Sequence, residues 1–186
     1  MTQSNTQLFV SNAKNELLVF KKNKFKCQFQ KIKSINIENG IITAMKYFDA
    51  FNVIAIGTSS GEILFYSPTY DNIVFSDKKT HNSLVSSIDQ RENLLLTSSY
   101  DKKVVSWYFS KVNKYDWQKG YLLHKDLIYN AKFVSDYDVL SVGEKEINYW
   151  TFSLIDLYNE IKANLKNDIS FTTEQINKYE LFLTNP

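Results

Sequence analysis

Four short apolar runs, each closing on an aromatic residue, recur along this chain. A repeat of that kind restricts the fold more than any bulk property does. The runs cover residues 16–20, 62–66, 103–107 and 146–150, and their last residues, Phe20, Tyr66, Trp107 and Trp150, stand 46, 41 and 43 positions apart. Each run follows another strand-like run (7–11, 53–57, 94–98 and 139–142) across a short polar turn. Strand, tight polar turn, strand is the signature of a hairpin. A further apolar segment precedes three of the hairpins, at 41–48, 84–88 and 127–134, and another follows the first three, at 25–32, 72–76 and 121–124. The unit is therefore four short strands in roughly 43 residues. Helical repeats of similar length are excluded: the runs are short, rich in β-branched and aromatic residues, and lack 3.6-residue spacing.

The strand pattern stops near Phe152, where the apolar period changes. Leu154, Leu157, Tyr158, Ile161 and Leu165 form one helical stripe. Thr172 and Gln175 then read as a capping box opening a second helix that carries Ile176, Tyr179, Leu181 and Phe182. The expected layout is an all-β region over 7–153, divided at about 7–35, 36–78, 79–124 and 125–153, followed by a helical extension over 154–186.

One repeat carries a more specific pattern. His81, Ser99, Asp101 and Trp107 fall in order, and the chain's only other histidine, His124, precedes Trp150 by 26 residues, the same interval as His81 to Trp107. In these residues and in its period the chain resembles the WD40-repeat family. The resemblance implies a partial WD40-type β-propeller of about 3.5 four-stranded blades with two short C-terminal helices. It also implies a buried hydrogen-bonded chain in which Asp101 accepts from the His81 ring. The Ser99 hydroxyl would then bridge the other ring nitrogen to the Trp107 indole. In the last repeat Val142 and Glu144 stand where this pattern places serine and aspartate. The tail, with Phe171, Thr172, Glu174 and Gln175, resembles the C-terminal extension of bacterial WD40 proteins, which often serve as the sensor end of NTPases or caspase-like enzymes.

Other chemistry is poorly supported. Histidine, aspartate and serine invite a catalytic-triad reading, but the structural chain accounts for the same residues and no Gly-x-Ser-x-Gly elbow exists. Two histidines 43 residues apart and one cysteine, Cys27, lack zinc-ligand spacing. No phosphate-binding glycine loop occurs, so no cofactor, metal or catalytic residue is expected. Lys21, Lys22, Lys24, Lys26, Lys31 and Lys33 form the one charge cluster. They read as a solvated outer strand with Phe25, Cys27 and Phe29 turned inward; an anionic lipid or polyanion surface is the alternative. Arginine, which reads bases bidentately, occurs once, at Arg91, and this argues against specific nucleic-acid recognition.

The functional expectation is a non-enzymatic protein–protein interaction scaffold or sensor that binds through rigid loops. Candidate partner-facing positions are Asn36, Asn39, Ser60, Asn82, Tyr100, Lys102, Lys125 and Asp126. The alternative is the regulatory C-terminal part of a larger bacterial enzyme. A polar N-terminus without a signal pattern and a single cysteine point to the cytoplasm. No run of about 18 apolar residues is present, which argues against a membrane span. The runs supply 14 strands with incomplete first and last repeats, so open sheet edges and apolar flanks predict self-association or completion of the ring by another chain.

Overall fold

The structure, a computed structural model, describes residues 1–4, 6–23, 28–109 and 117–151. The two expected C-terminal helices, together with Lys24, Phe25, Lys26 and Cys27, lie outside the described residues. Four antiparallel sheets follow one another along the chain. The first holds β1 (Thr2–Gln3), β2 (Gln7–Ser11), β3 (Glu16–Lys22) and β4 (Phe29–Asn36). The second holds β5 (Ile42–Phe48), β6 (Val53–Thr58), β7 (Ile63–Ser67) and β8 (Asn72–Asp77). The third holds β9 (Val85–Arg91), β10 (Leu94–Ser99), β11 (Lys103–Phe109) and β12 (Trp117–Leu123). In the fourth are β13 (Ile128–Phe133), β14 (Asp138–Gly143) and β15 (Ile147–Thr151).

The 14 expected strands become 15 among the described residues, because Thr2 and Gln3 pair with Phe9 and Leu8 and give the first sheet a fourth strand. Two polar-flanked residues leave no apolar run to detect. Phe29 is also not turned inward; it is 43% exposed, at the start of an edge strand whose register shifts between Val19 and Phe20. Of the clustered lysines, Lys33 is held by Asp71 at 2.6 Å, while Lys21, Lys22 and Lys31 stay exposed.

Alternation along the inner strands sends apolar side chains to both faces of a sheet. In the second sheet, Ile54, Ile56, Leu64 and Tyr66 bury against Phe9, Leu17 and Val19 of the first. The opposite parity, Ala55, Ile63 and Phe65, meets Val85, Leu95, Val105, Trp107 and Phe109 of the third. Leu96 and Val104 then meet Ile128, Ala131 and Val139 of the fourth. The first strands of successive sheets also touch: the Tyr47 amide donates to Thr2 Oγ1 (2.8 Å), Lys46 pairs with Asp89 (2.8 Å), and the Phe133 amide donates to Asp89 Oδ2 (3.1 Å).

The third sheet approaches the second closely at Gly57, where an added Cβ would lie 2.6 Å from Val85 Cβ. We expect Gly57→Ala to destabilise the fold by about 1–3 kcal/mol through overpacking. Val85→Ala should rescue part of that loss, so the double variant should be less destabilised than the two single changes together. Urea denaturation of the three variants measures this coupling; strict additivity would show that these sheets do not meet at Gly57.

Candidate functional site

Antiparallel meanders place two kinds of segment at the same end of every sheet: the loop leading into its first strand and the turn between its second and third. In the third sheet these are the residues just before β9 and the turn at Tyr100–Lys102, and His81 joins them. Its Nδ1 lies 3.2 Å from both carboxylate oxygens of Asp101, and the Asn82 and Lys103 amides donate to the same carboxylate at 3.0 and 3.1 Å. Asp101 only accepts, so Nδ1 carries the proton and Nε2 is left as an acceptor. Nε2 takes the hydroxyl proton of Thr97 at 2.9 Å, and the Thr97 oxygen accepts the Trp107 indole N–H at 3.1 Å. The donors therefore run in one direction, from indole to hydroxyl to imidazole to carboxylate.

The bridging hydroxyl belongs to Thr97 rather than to Ser99. Thr97 sits inside β10 opposite Val105, two pairs along from the Leu95–Trp107 pair and therefore on the same face, and so reaches the indole. Ser99 stands beyond a register shift at the end of β10, where its hydroxyl donates to the Ser83 carbonyl (3.0 Å) and accepts the Asp101 amide (3.1 Å). It shapes the turn that presents Asp101.

The fourth sheet repeats the arrangement with different residues. His124 Nε2 lies 2.6 Å from Ser141 Oγ, which accepts the Trp150 indole N–H at 2.7 Å. His124 Nδ1 lies 3.1 Å from Glu146 Oε1, which also accepts the Lys125 amide at 2.9 Å. Ser141 and Glu146, not Val142 and Glu144, therefore complete this network. The acid sits beyond the turn instead of within it, and its longer side chain spans the difference. Burial holds the His124 imidazole below its ordinary pKa, opposed only in part by Glu146.

Sheets one and two replace the network. Ile56 and Tyr66 take the places of Thr97 and Trp107, and both are buried. Glu62, aligned with Glu146, accepts from Ser76 and keeps one carboxylate oxygen without a hydrogen-bond partner. Glu16 accepts from Asn12 (2.6 Å) and Ser34 (2.7 Å).

Asp101–His81–Thr97 and Glu146–His124–Ser141 have the connectivity of an acyl-transfer triad. Thr97 and Ser141 are nevertheless fully buried, and each hydroxyl already accepts an indole proton. No substrate can approach either oxygen in this arrangement, so its work is to tie loop to turn.

The ties present one rim. Asn39, Ser60, Asn82, Lys102 and Lys125 are exposed there, Tyr100 and Asp126 are half-buried, and Asn36 is the exposed last residue of β4 rather than a loop residue. Tyr129, hidden from a sequence reading inside an apolar run, falls at the register shift between Ile128 and Asn130 and is 47% exposed. It packs edge-on against Tyr100, ring centroids 5.9 Å apart. Among the described residues, no group of three metal-ligating side chains converges, and no helix is long and apolar enough to cross a membrane.

No family model and no curated protein matches the sequence. Solved structures do. The fold is similar to the structure of U3-55K (TM-score 0.65, 15% identity), over 79% of this chain and 46% of that one. It is similar to the mitotic checkpoint complex (TM-score 0.64, 15% identity) over 81% and 45%. It is also similar to the computationally designed Ika4 protein (TM-score 0.67, 14% identity), over 82% of this chain and 89% of that one. The chain thus spans less than half the length of U3-55K and of the checkpoint-complex chain. Both of these neighbours are WD40 propeller proteins, and the four-stranded antiparallel sheets fit WD40 blades.

Thr97→Val should cost about 1–3 kcal/mol in chemical denaturation, because it strips the partner from two buried groups, His81 Nε2 and Trp107 Nε1. A change within experimental error would remove the network from any structural role. A pH dependence follows from Asp101. Burial raises its pKa, but donation from His81 and the Asn82 and Lys103 amides outweighs this and brings it to about 2 from an ordinary 3.8. The folded state therefore favours the carboxylate. Its contribution, about 2 kcal/mol, is fully present above pH 4 and lost as pH falls toward 2. Stability profiles of the wild type and Asp101→Ala should converge across that window.

Proposed function

We propose that this chain is a non-catalytic protein-recognition module, a scaffold or sensor whose partner docks on the rim of tied loops. The observation that carries this reading is the pinning of two successive loops to their turns by His81–Asp101 and His124–Glu146, with Tyr100 and Tyr129 presented beside them. A loop held in one conformation loses little entropy on binding. Tyrosines of this kind supply large contact areas at the centre of protein interfaces. Lys102 and Lys125 add positive charge at the margin, which favours a partner segment carrying acidic residues. WD40-type folds are generally non-catalytic, in agreement with the closed hydroxyls of both networks. A cytoplasmic setting fits the single cysteine.

The test places a photoreactive phenylalanine at Tyr100 or Tyr129, with a control at Tyr70, which is 70% exposed in the β7–β8 turn at the opposite end of the strands. A discrete protein adduct is expected from positions 100 and 129 and not from 70. Lys102→Glu should reduce that adduct while leaving the thermal midpoint in place. Equal capture from both ends, or none from either, would overturn the proposal.

A further inference from the structure

We infer that the gap between the third and fourth sheets binds a small aryl-alkyl ammonium ion, an aromatic ring carrying a protonated amine on a short arm. The site arises from a difference between two otherwise equivalent interfaces. Between the second and third sheets, at the end of the strands away from the tied loops, four rings fill the space. Phe48, Phe51 and Phe109 stand with centroids between 5.0 and 5.3 Å apart, and Phe65 lies 5.6 Å from Phe109.

Register assigns the matching positions of the third sheet. Phe48 pairs with Val53 across the first hairpin of its sheet, and Arg91 pairs with Leu94 across the first hairpin of the next. Phe65 precedes Tyr66 in β7, and Ser106 precedes Trp107 in β11. An arginine and a serine therefore stand where the preceding interface has phenylalanines. Arg91 reaches instead to the β13–β14 turn, its Nε donating to Asp136 Oδ1 (2.5 Å). What is left is a cavity of about 460 Å³. Small-molecule sites span about 300–1,000 Å³.

The lining is ordered by polarity. Leu94, Ser106 and Phe133, all half-buried, form the inner wall. The Ser106 hydroxyl and the Asn93 amide are already engaged there, donating to the Gly120 and Phe109 carbonyls at 3.4 and 3.1 Å. Tyr108 and Tyr137, 50% and 60% exposed, stand at the mouth with the carboxylates of Glu92 and Asp136. This arrangement suits an apolar group at depth and a cation at the entrance, beside two tyrosine rings and two acids. A lysine or arginine side chain reverses that order, carrying its charge past the acids to the apolar wall. An aryl-alkyl ammonium ion satisfies it, its ring taking the room that Phe65 fills in the preceding interface.

Asp136 is shared with Arg91, but the exposed Glu92 has no hydrogen-bonding or ionic partner among the described residues. Its backbone has φ 48° at the head of a two-residue turn, in the left-handed region that favours glycine. Glycine would fit the turn with less strain; the glutamate supplies the charge. The cavity lies at the opposite end of the strands from Tyr100 and Tyr129, so this inference and the recognition rim can fail separately.

The experiment is an NMR titration of the full 186-residue chain with phenethylammonium at neutral pH, alongside phenethyl alcohol, ethylammonium and hydrocinnamate. Phenethylammonium should shift the Leu94, Ser106 and Phe133 amides saturably. The alcohol should bind about two- to fivefold more weakly, the loss expected for one exposed charge pair. Ethylammonium, without a ring, and hydrocinnamate, with the opposite charge, should produce no saturable shift. Ser106→Phe, which returns the missing ring, should abolish the shifts. Glu92→Gly should weaken binding about two- to fivefold while raising the thermal midpoint. No saturable shift, equal affinity for the alcohol and the ammonium ion, or binding that survives Ser106→Phe would overturn the inference. Should Ser106→Phe unfold its sheet, the probe series on the wild type and the Glu92→Gly variant still decide the question, and an unchanged affinity in that variant would sink the site.

Discussion

A sheet that is apolar on both faces cannot stand in water, and most of this structure follows from that constraint. Antiparallel sheets usually keep one face wet and alternate apolar with polar residues. Here every residue of β6 and β7 is buried, so both parities of the second sheet need cover. Burying one large apolar side chain contributes roughly 1.5–3 kcal/mol. The dozen or so buried side chains of the inner strands therefore outweigh any local preference, and sheets stack in chain order because the nearest available flank belongs to the next repeat. Polarity moves to the outer strands: β4 and β8 carry most of the exposed positions of their sheets.

Polar chains threaded between dry sheets need a separate explanation, because stacking does not require them. Ile56 and Tyr66 fill the positions of Thr97 and Trp107, and both are buried in an apolar cluster. Replacing a buried polar cluster with apolar residues of similar volume is often neutral or favourable. What the histidine networks add is direction. Each ring lies between a hydroxyl deep in the sheet and an acid at the strand ends, so it fixes the leading loop relative to the core, and it is favourable only when every member is satisfied.

The sequence disclosed the skeleton well. Most strands appear within one or two positions of their expected places, because burial of both parities leaves a strong pattern, whereas the outer strands are offset: β4 ends at Asn36, four residues past the expected end, and β12 starts at Trp117, four before the expected start. The misses share a cause: they depend on how strands are registered, which a period does not reveal. The WD40-repeat resemblance points to Ser99 as the bridging hydroxyl, yet a register shift turns it away and Thr97 takes that place. Glu146 was passed over because its carboxylate arrives from beyond the turn. Tyr129 looked like an interior residue until the shift between Ile128 and Asn130 turned it out. Thr2 and Gln3 form a strand through backbone pairing alone.

The tie between loop and turn survives where its chemistry is absent. In the second sheet no histidine precedes the first strand; Glu38 occupies that position and is exposed. The leading loop is nonetheless fastened to the turn, by the Ile41 amide donating to Ser59 Oγ (3.0 Å) and Ser60 Oγ donating to the Asn39 carbonyl (2.7 Å). Gly40 makes the close approach possible, with φ near 94° and Ser60 so near that a Cβ would crowd it. Short hydroxyls and a glycine thus do at the surface what a histidine and an acid do in the interior of the next two sheets. The surface version lets water compete for each bond, whereas the buried version excludes it. The rim is therefore stiffest along the third and fourth sheets, where Tyr100 and Tyr129 stand, and a partner that needs a preorganised surface would find it there rather than at Asn39 and Ser60.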